Sequence, residues 1–553
     1  MAADSASRGP AGSAGSVGTG GMGGTAIPRW AWPAALVGLI ALAAILRFHD
    51  LATRGTWDAD QGHDMLVLMA FVRDGTWPLL GPPTSIGDFH HGALYYYLLA
   101  PGAALGGGDP VVVVGEIAVL GCAAVGLVAI LARSVAGTAA GLVAGLAMAV
   151  SATAIDESTF LWNPNFVAFT SALTVSAAWR AWSTRRARWW LLAAAGQAAT
   201  MQCHVLGFVL LPPLIVWLGA DLRRRAGSDR RRLAWTIAAG IAIVALSYVP
   251  LLASELQTDF HEARAAIAYL VGGGQAVSMA PPLRLTFVSL RVLAWPLTGL
   301  LTDGLAPGVA AGVTVAALAA WRFGTASGTE RPLLRWIAAT MAWSCLALGL
   351  GVAGLAFVTP LPVDHYHAFL DPLVFVALGA GAAGVWRLGD GVSSAADTSR
   401  ASSTADTSRA PSARRLVRTV VVGAVGLLVV WNVTHAPPDT ARDGGYGAAE
   451  AAAVRVTRLI RDRATLLISL PTIKSGEAYL YPLRRAGATV AEGLADPVGL
   501  DSVVVLCDSL FIPDCGGPAE DPAAGVLPGA RLVDRFSPAP GRTISIYLRP
   551  PSA

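Results

Sequence analysis

Charge is what this chain most lacks. Only 14% of its 553 residues are Asp, Glu, Lys or Arg, where a soluble protein of this length carries about a quarter. With 54% hydrophobic residues and a mean hydropathy of +0.55, the deficit excludes an ordinary soluble enzyme. It coincides with repeated apolar runs of roughly span length, which read as a polytopic membrane protein. Cysteine is scarce too. The five Cys show no paired CxxC, so no structural zinc motif is present. Arg clusters are short and lie between apolar runs, where membrane topology explains them; nucleic-acid binding has no support. Acids are almost missing from the apolar runs, and no internal repeat is evident.

The chain in order reads as follows. Residues 1–29 are Gly-, Ser- and Ala-rich with too few large apolar side chains for a core, hence a disordered cytoplasmic tail. Trp30 to Leu46 is a first span, retained as an anchor because no small-residue cleavage site follows. Further spans are expected near 110–132, 136–155, 165–182, 189–203, 204–220, 233–253, 305–323, 334–358, 367–387 and 415–432, about 11 in all at the usual ~20 residues each. The weak point is 189–220, short for two crossings. Arg133, Arg180 to Arg188, Arg223 to Arg232, Arg322 with Arg331 and Arg335, and Arg387 with Arg414 to Arg418 fall at alternate span ends. Placing them in the cytoplasm sets the amino terminus inside and the carboxyl-terminal region outside the plasma membrane. Segments 92–106 and 284–302 then lie along the outer interface. Residues 30–388 form the catalytic membrane region, 389–414 a low-complexity cytoplasmic linker, and 415–433 the last span. Alternating helix and strand patterns in 434–553 indicate a small extracytoplasmic α/β domain, in which Cys507 and Cys515 either pair or remain thiols.

In a chain this apolar, a polar cluster needs a reason. One follows the first span: Trp57-Asp58-Ala59-Asp60-Gln61-Gly62-His63-Asp64, with His90-His91-Gly92-Ala93-Leu94-Tyr95-Tyr96-Tyr97 beyond it. The apolar run Met65 to Val72 between them fits a helix lying on the membrane, which would bracket the carboxylates where a lipid head group passes. All nine His, with Asp156, Glu157, Asp259 and Asp364, fall on or near the outer side of the expected topology.

Asp60-Gln61 after a first span, then His90-His91-Gly92-Ala93-Leu94-Tyr95-Tyr96, resembles the GT-C superfamily of membrane glycosyltransferases. The nearest patterns are family 39 protein mannosyltransferases, the aminoarabinose transferase of lipid A, and RgtA/B/C/D-like enzymes. Gln61 stands where the family pattern has Glu, and Gly92-Ala93 where it has prolines. The resemblance covers roughly residues 30–390. It implies an inverting transfer on the outer face of a hexosyl or pentosyl group, from a polyprenyl-phosphate sugar to a cell-envelope glycan, lipid or protein. Asp60 would be the general base, with Asp58 beside it. An acceptor hydroxyl must lose a proton as it attacks, and a carboxylate in reach can take it. The departing phosphate needs donors or positive charge.

Candidate substrate-binding residues are Gln61, His63, His90, His91, Tyr95, Asp156, Glu157, Asn163, His204, Arg264, His365 and His367, with Arg291 as a further cation. Tyr95 to Tyr97 also suit anchoring at the head-group level. No cofactor is certain; Asp364-His365-Tyr366-His367 offers ligand types for a divalent metal without a third ligand fixed in sequence. Two rival functions are a transporter or flippase of a lipid-linked sugar, which would place charge inside spans, and a non-catalytic envelope assembly protein.

Overall fold

The computed structural model describes residues 28–84, 88–271, 279–299, 305–351, 364–400, 409–472, 474–493 and 499–550. Most of the expected tail, residues 1–27, and the middle of the expected linker, 401–408, lie outside them. Among the described residues, seven helices are long and apolar enough to span a bilayer: Ala31–Phe48, Pro110–Ala136, Val205–Arg223, Leu305–Thr325, Arg331–Leu350, Ala368–Leu388 and Arg414–Thr434. Gly227–Ser247 and Val249–Gln257, bent by 43° where they meet, make an eighth when taken as one span. The other three expected spans are helical but less span-like: Thr138–Val150, Val167–Thr184 and Trp189–Cys203. The tight segment 189–220 is resolved by a break at His204 and a 3-10 turn over Val205–Leu210. The helix starting at Asp371 runs on to Arg400, into the expected linker, whose Ala content permits it.

The bundle is held by small residues. Thr138–Val150 packs on Pro110–Ala136 and on the helix from Asp371. There a Cβ on Gly379 would overlap the Ala140 carbonyl, so close backbone approach replaces bulky side chains. Arg47, at the end of the first helix, is fully buried. Its guanidinium donates to the Met148 and Ala149 carbonyls, each at 3.0 Å, satisfying two terminal acceptors of Thr138–Val150.

Above the bundle, the polar cluster forms a helix over Ala59–Asp74, here the first-loop helix. Asp58 and Gln61 make its capping box, and Gly75 ends it in a left-handed conformation at φ 72°. A short antiparallel ladder of β1 (Leu80–Pro83) and β2 (His90–Gly92) leads into Leu94–Leu105, an apolar helix of 12 residues. The carboxyl-terminal region folds as a mixed sheet of β3 (Thr465–Leu470), β4 (Val490–Glu492), β5 (Ser502–Asp508), β6 (Arg531–Ala539) and β7 (Arg542–Leu548), in the order β4-β3-β5-β7-β6. The first three strands are parallel and the last two antiparallel, and Cys507 and Cys515 are disulfide-bonded.

This α/β region is clamped to the first loop. Trp57 is buried, its Nε1 donating to the Ala478 carbonyl at 2.6 Å and its ring set edge-on to Tyr446. Tyr481 donates to the Gly108 carbonyl. Gly62 lies directly under the helix Glu477–Arg485, here the docking helix, where a Cβ would overlap the Glu477 carbonyl. Gly62→Ala is therefore expected to cost about 1–3 kcal/mol through overpacking and to open new protease cleavage near residues 435–445. Gly38→Ala, at a position with open space around it, should do neither. Limited proteolysis and thermal unfolding of the two variants check this.

Candidate active site

Asp60, His63 and Asp64 project from one face of the first-loop helix because residues three and four apart share a face. That face walls a cavity of about 180 Å³. The opposite walls are Pro82, Pro83 and His91 from the β1–β2 ladder, Trp162, Asn163 and Pro164, His365, and Ser475 with Glu477 from the α/β region. Four segments far apart in sequence thus meet around Asp60.

Each side chain is held differently. Asp64 is buried, its two oxygens accepting from Tyr95 at 2.6 Å and Tyr96 at 2.8 Å. Burial pushes its carboxyl up to about 7 despite those bonds. Asp60 opens into the cavity. Burial there, then the negative charge of Asp58, raises its pKa; Glu477 adds to the rise, while His63 and Lys474 oppose it. His63 Nδ1 lies 3.0 Å from Glu477 Oε1, and that hydrogen bond raises the imidazole against the effect of burial. Asn163 donates to the Cys203 carbonyl at 2.6 Å, fixing the 162–164 wall to the helix end before His204.

His91, His204 and His365 cluster, with His204 5.3 Å from each of the other rings, centroid to centroid. Burial depresses His91 to about 3 and His365 to about 4, so both rings are neutral at physiological pH. The Leu206 amide donates to His204 Nδ1. Among the described residues, the buried Nδ1 atoms of His91 and His365 have no hydrogen-bond partner in the protein.

Several expected site residues stand elsewhere. Asp58 caps the first-loop helix and pairs with Arg542 at 3.0 Å and, more loosely, with Lys474 at 3.7 Å. It lies outside the lining of the Asp60 cavity. Gln61 is buried, accepting from the Asp58 amide and donating to the Leu161 carbonyl. Tyr95 is buried on Asp64 instead of facing head groups or sugar. Of the three tyrosines only Tyr97, packed with Phe71 and the exposed Trp77, suits an interfacial anchor. His90 is bound through its amide and ring to Glu262. Arg264 pairs with Asp259 on the exposed helix His261–Val271. Asp156 and Glu157 do not line the cavity; burial pushes Asp156 up to about 6, with Arg54 opposing.

His367 belongs to a buried ion-pair chain. Arg291 holds Asp364 at 2.6 Å, and His367 bridges Asp364 at 3.3 Å and Asp371 at 3.2 Å. Burial alone would depress His367, but the two carboxylates push it up to about 10. Burial alone would raise Asp364, but His367 and Arg291 hold it down to about 2. Both ring nitrogens of His367 face carboxylates, so its imidazole is engaged in this ion-pair chain. The exposed His49, Asp50 and Asp439 also bring three ligand-type side chains together, away from the cavity lining.

Sequence reasoning missed Glu477, Ser475 and Trp162 as cavity residues and underused Asp64. Asp64 was visible at i+4 from Asp60; nothing local to Glu477 marks its reach across 414 residues to His63.

This arrangement sits on a known architecture. The structure of ArnT from Cupriavidus metallidurans bound to undecaprenyl phosphate matches 94% of this chain and 98% of its own, with a TM-score of 0.58 at 14% identity. The apo form of the same protein matches with a TM-score of 0.57 at 15% identity, over 93% and 98% of the two chains. The chain shares this GT-C-type fold. A family model described as dolichyl-phosphate-mannose-protein mannosyltransferase matches residues 90–250, the segment that carries His91, Asn163 and His204. No curated protein matches by sequence.

The buried Asp64 gives this chain a pH signature. Native Asp64 keeps its proton to about pH 7, while an unfolded aspartate loses it near ~4. Between those values the native state binds more protons, so this group's contribution to stability falls as pH rises from about 4 to 7, then stays constant. Asp64→Asn removes that dependence. Its thermal midpoint should fall less than that of the unmodified protein between about pH 5 and 7; equal slopes would show that Asp64 ionises like a surface carboxylate.

Proposed function

We propose that the chain transfers a sugar from a polyprenyl-phosphate donor to a cell-envelope acceptor, with inversion, at the outer face of the plasma membrane. The observation that carries this reading is the cavity itself, with the Asp60 carboxylate on one wall and the neutral rings of His91 and His365 on others. Asp60 takes the proton of the acceptor hydroxyl as that oxygen attacks the anomeric carbon. Its raised pKa brings it nearer the operating pH than a free aspartate, which favours base catalysis. The bond to the lipid phosphate breaks as the new glycosidic bond forms, and negative charge gathers on the phosphate. Among the described residues no Lys or Arg lines the cavity, so the imidazoles of His63, His91 and His365 are the nearest donors for that charge. Asn163 and Trp162 complete the sugar-facing wall.

Two further observations support the setting. ArnT, of the same fold, is described bound to undecaprenyl phosphate, a donor chemistry we extend to this chain. The disulfide Cys507–Cys515 suits an oxidising compartment, as expected if residues 434–553 are extracytoplasmic and the amino terminus cytoplasmic. On this reading 30–388 and 415–433 form the catalytic membrane region, and the acceptor is a glycan, lipid or protein that receives a hexose or pentose.

Asp60→Asn should lower transfer from a polyprenyl-phosphate sugar by about 10²–10⁴-fold in reconstituted membranes, with little change in thermal midpoint, because the Asp60 side chain opens into the cavity. Normal transfer by the folded variant would refute the assignment. A transporter would instead move lipid-linked sugar across vesicles without forming a glycosidic bond.

A further inference from the structure

Glu477 is the first residue of the docking helix and reaches the cavity from a region with its own sheet. Its carboxylate is built in from both sides. Oε1 meets His63 Nδ1 at 3.0 Å, and Oε2 accepts from Ser475 Oγ at 2.9 Å. The Ser475–Gly476 turn is itself held by Glu492 of β4, which accepts from the Gly476 amide and lies 3.3 Å from the Ser475 hydroxyl oxygen. Side-chain exposures are 42% for His63 and 23% for Glu477. A pair this open adds roughly 0–1 kcal/mol to stability, and the docking is already secured by Trp57, Tyr481 and Gly62. The pair is therefore poorly explained as a fastening, yet it lies on the cavity wall one helical turn from Asp60.

We propose that Glu477 is a positioning residue of the active site, holding His63 beside Asp60, so that the membrane bundle without the carboxyl-terminal region is an incomplete enzyme. The inference rests on the transfer reading above for its kinetics but not for its geometry. Glu477 fixes the imidazole through Nδ1 and favours its protonated form, and that ring stands beside the Asp60 carboxylate and within the cavity where phosphate charge would develop. The other charged or titratable groups around this pair are Asp60 and Asp64 on the first-loop helix with Asp58 at its cap, Arg484 on the docking helix, Glu492 of β4, Lys474 before the docking helix, and the neutral His91 and His365 across the cavity. Removing Glu477 withdraws one negative neighbour from Asp60, while an imidazole near its ordinary range is still protonated where a carboxyl titrates. The acidic limb of the pH–rate profile should then move to lower pH.

The test uses the full chain in nanodiscs with Glu477→Gln, Glu477→Asp, Ser475→Ala, His63→Ala and the His63→Ala/Glu477→Gln double variant. The His63 imidazole, identified by difference against His63→Ala, is titrated by NMR. In Glu477→Gln its midpoint should fall by about one unit or more, as expected on losing an ionic partner; Glu477→Asp should recover part of it, and Ser475→Ala should show a smaller fall. With a polyprenyl-phosphate sugar, Glu477→Gln should lower kcat about tenfold or more and shift the acidic limb downward. The double variant should be no worse than His63→Ala, since one route carries both losses. An unchanged His63 titration in both Glu477→Gln and Ser475→Ala overturns the proposal, as do fully additive losses. If the unmodified protein transfers no sugar, the transfer reading fails, while the NMR titration still decides the Glu477–His63 coupling.

Discussion

A buried carboxyl group anchors the site. Asp64 is almost wholly withdrawn from water, and such a group is tolerable only when its oxygens are hydrogen-bonded. Tyr95 and Tyr96 meet that demand from the helix Leu94–Leu105. The three-residue contact fixes the rotation of the first-loop helix, and rotation is what aims Asp60 and His63. A helix free to roll by one residue, about 100°, would turn both away from the cavity. The tyrosine run that looks like a membrane-interface belt is therefore divided. Two rings orient the first-loop helix from inside, and only Tyr97 keeps the belt position.

The α/β region provides the second constraint. Gly62, Trp57 and Asp58 all lie in the first-loop segment, and all are committed to it: a backbone approach that admits no Cβ, a buried indole with its N–H bonded, and an ion pair to Arg542. A segment whose polar residues look catalytic as a group is thus split by function. Asp58 and Gln61 build and hold the helix, Asp64 orients it, and Asp60 and His63 face the cavity.

Much of this was legible in one sequence. The low charge and apolar runs identify a membrane bundle, and the alternating strand and helix patterns of 434–553 correspond to the observed mixed sheet and its helices. Asp60, His63, His91, Asn163 and His365 were named in advance and do line one cavity. What failed, failed for physical reasons. Short helices such as Trp189–Cys203 are packed as interior pieces, and hydropathy alone does not separate burial in protein from burial in lipid. His90, Arg264 and His367 carry the right chemistry but are occupied by Glu262, Asp259, and Asp364 with Asp371. Partnering is a property of the fold, and residue type does not report it. Glu477 was out of reach for the same reason in reverse: its partner is supplied by tertiary structure alone.

The imidazoles carry the remaining chemical argument. A leaving phosphate in a cavity flanked by Asp60, Asp64 and Glu477 would meet unfavourable charge if all three were ionised. The structure reduces that burden in two ways. Burial keeps Asp64 protonated up to about pH 7, and His63 balances Glu477. Neutral His91 and His365 then add ring N–H donors without drawing in counter-ions that a buried imidazolium would need. Such donors gain strength from exclusion of water, because their dipoles act in a low dielectric. On the proposed transfer, a site assembled this way would act on charge as it develops at the phosphate, and stabilising that charge more than the resting phosphate is the difference between lowering a barrier and binding a substrate.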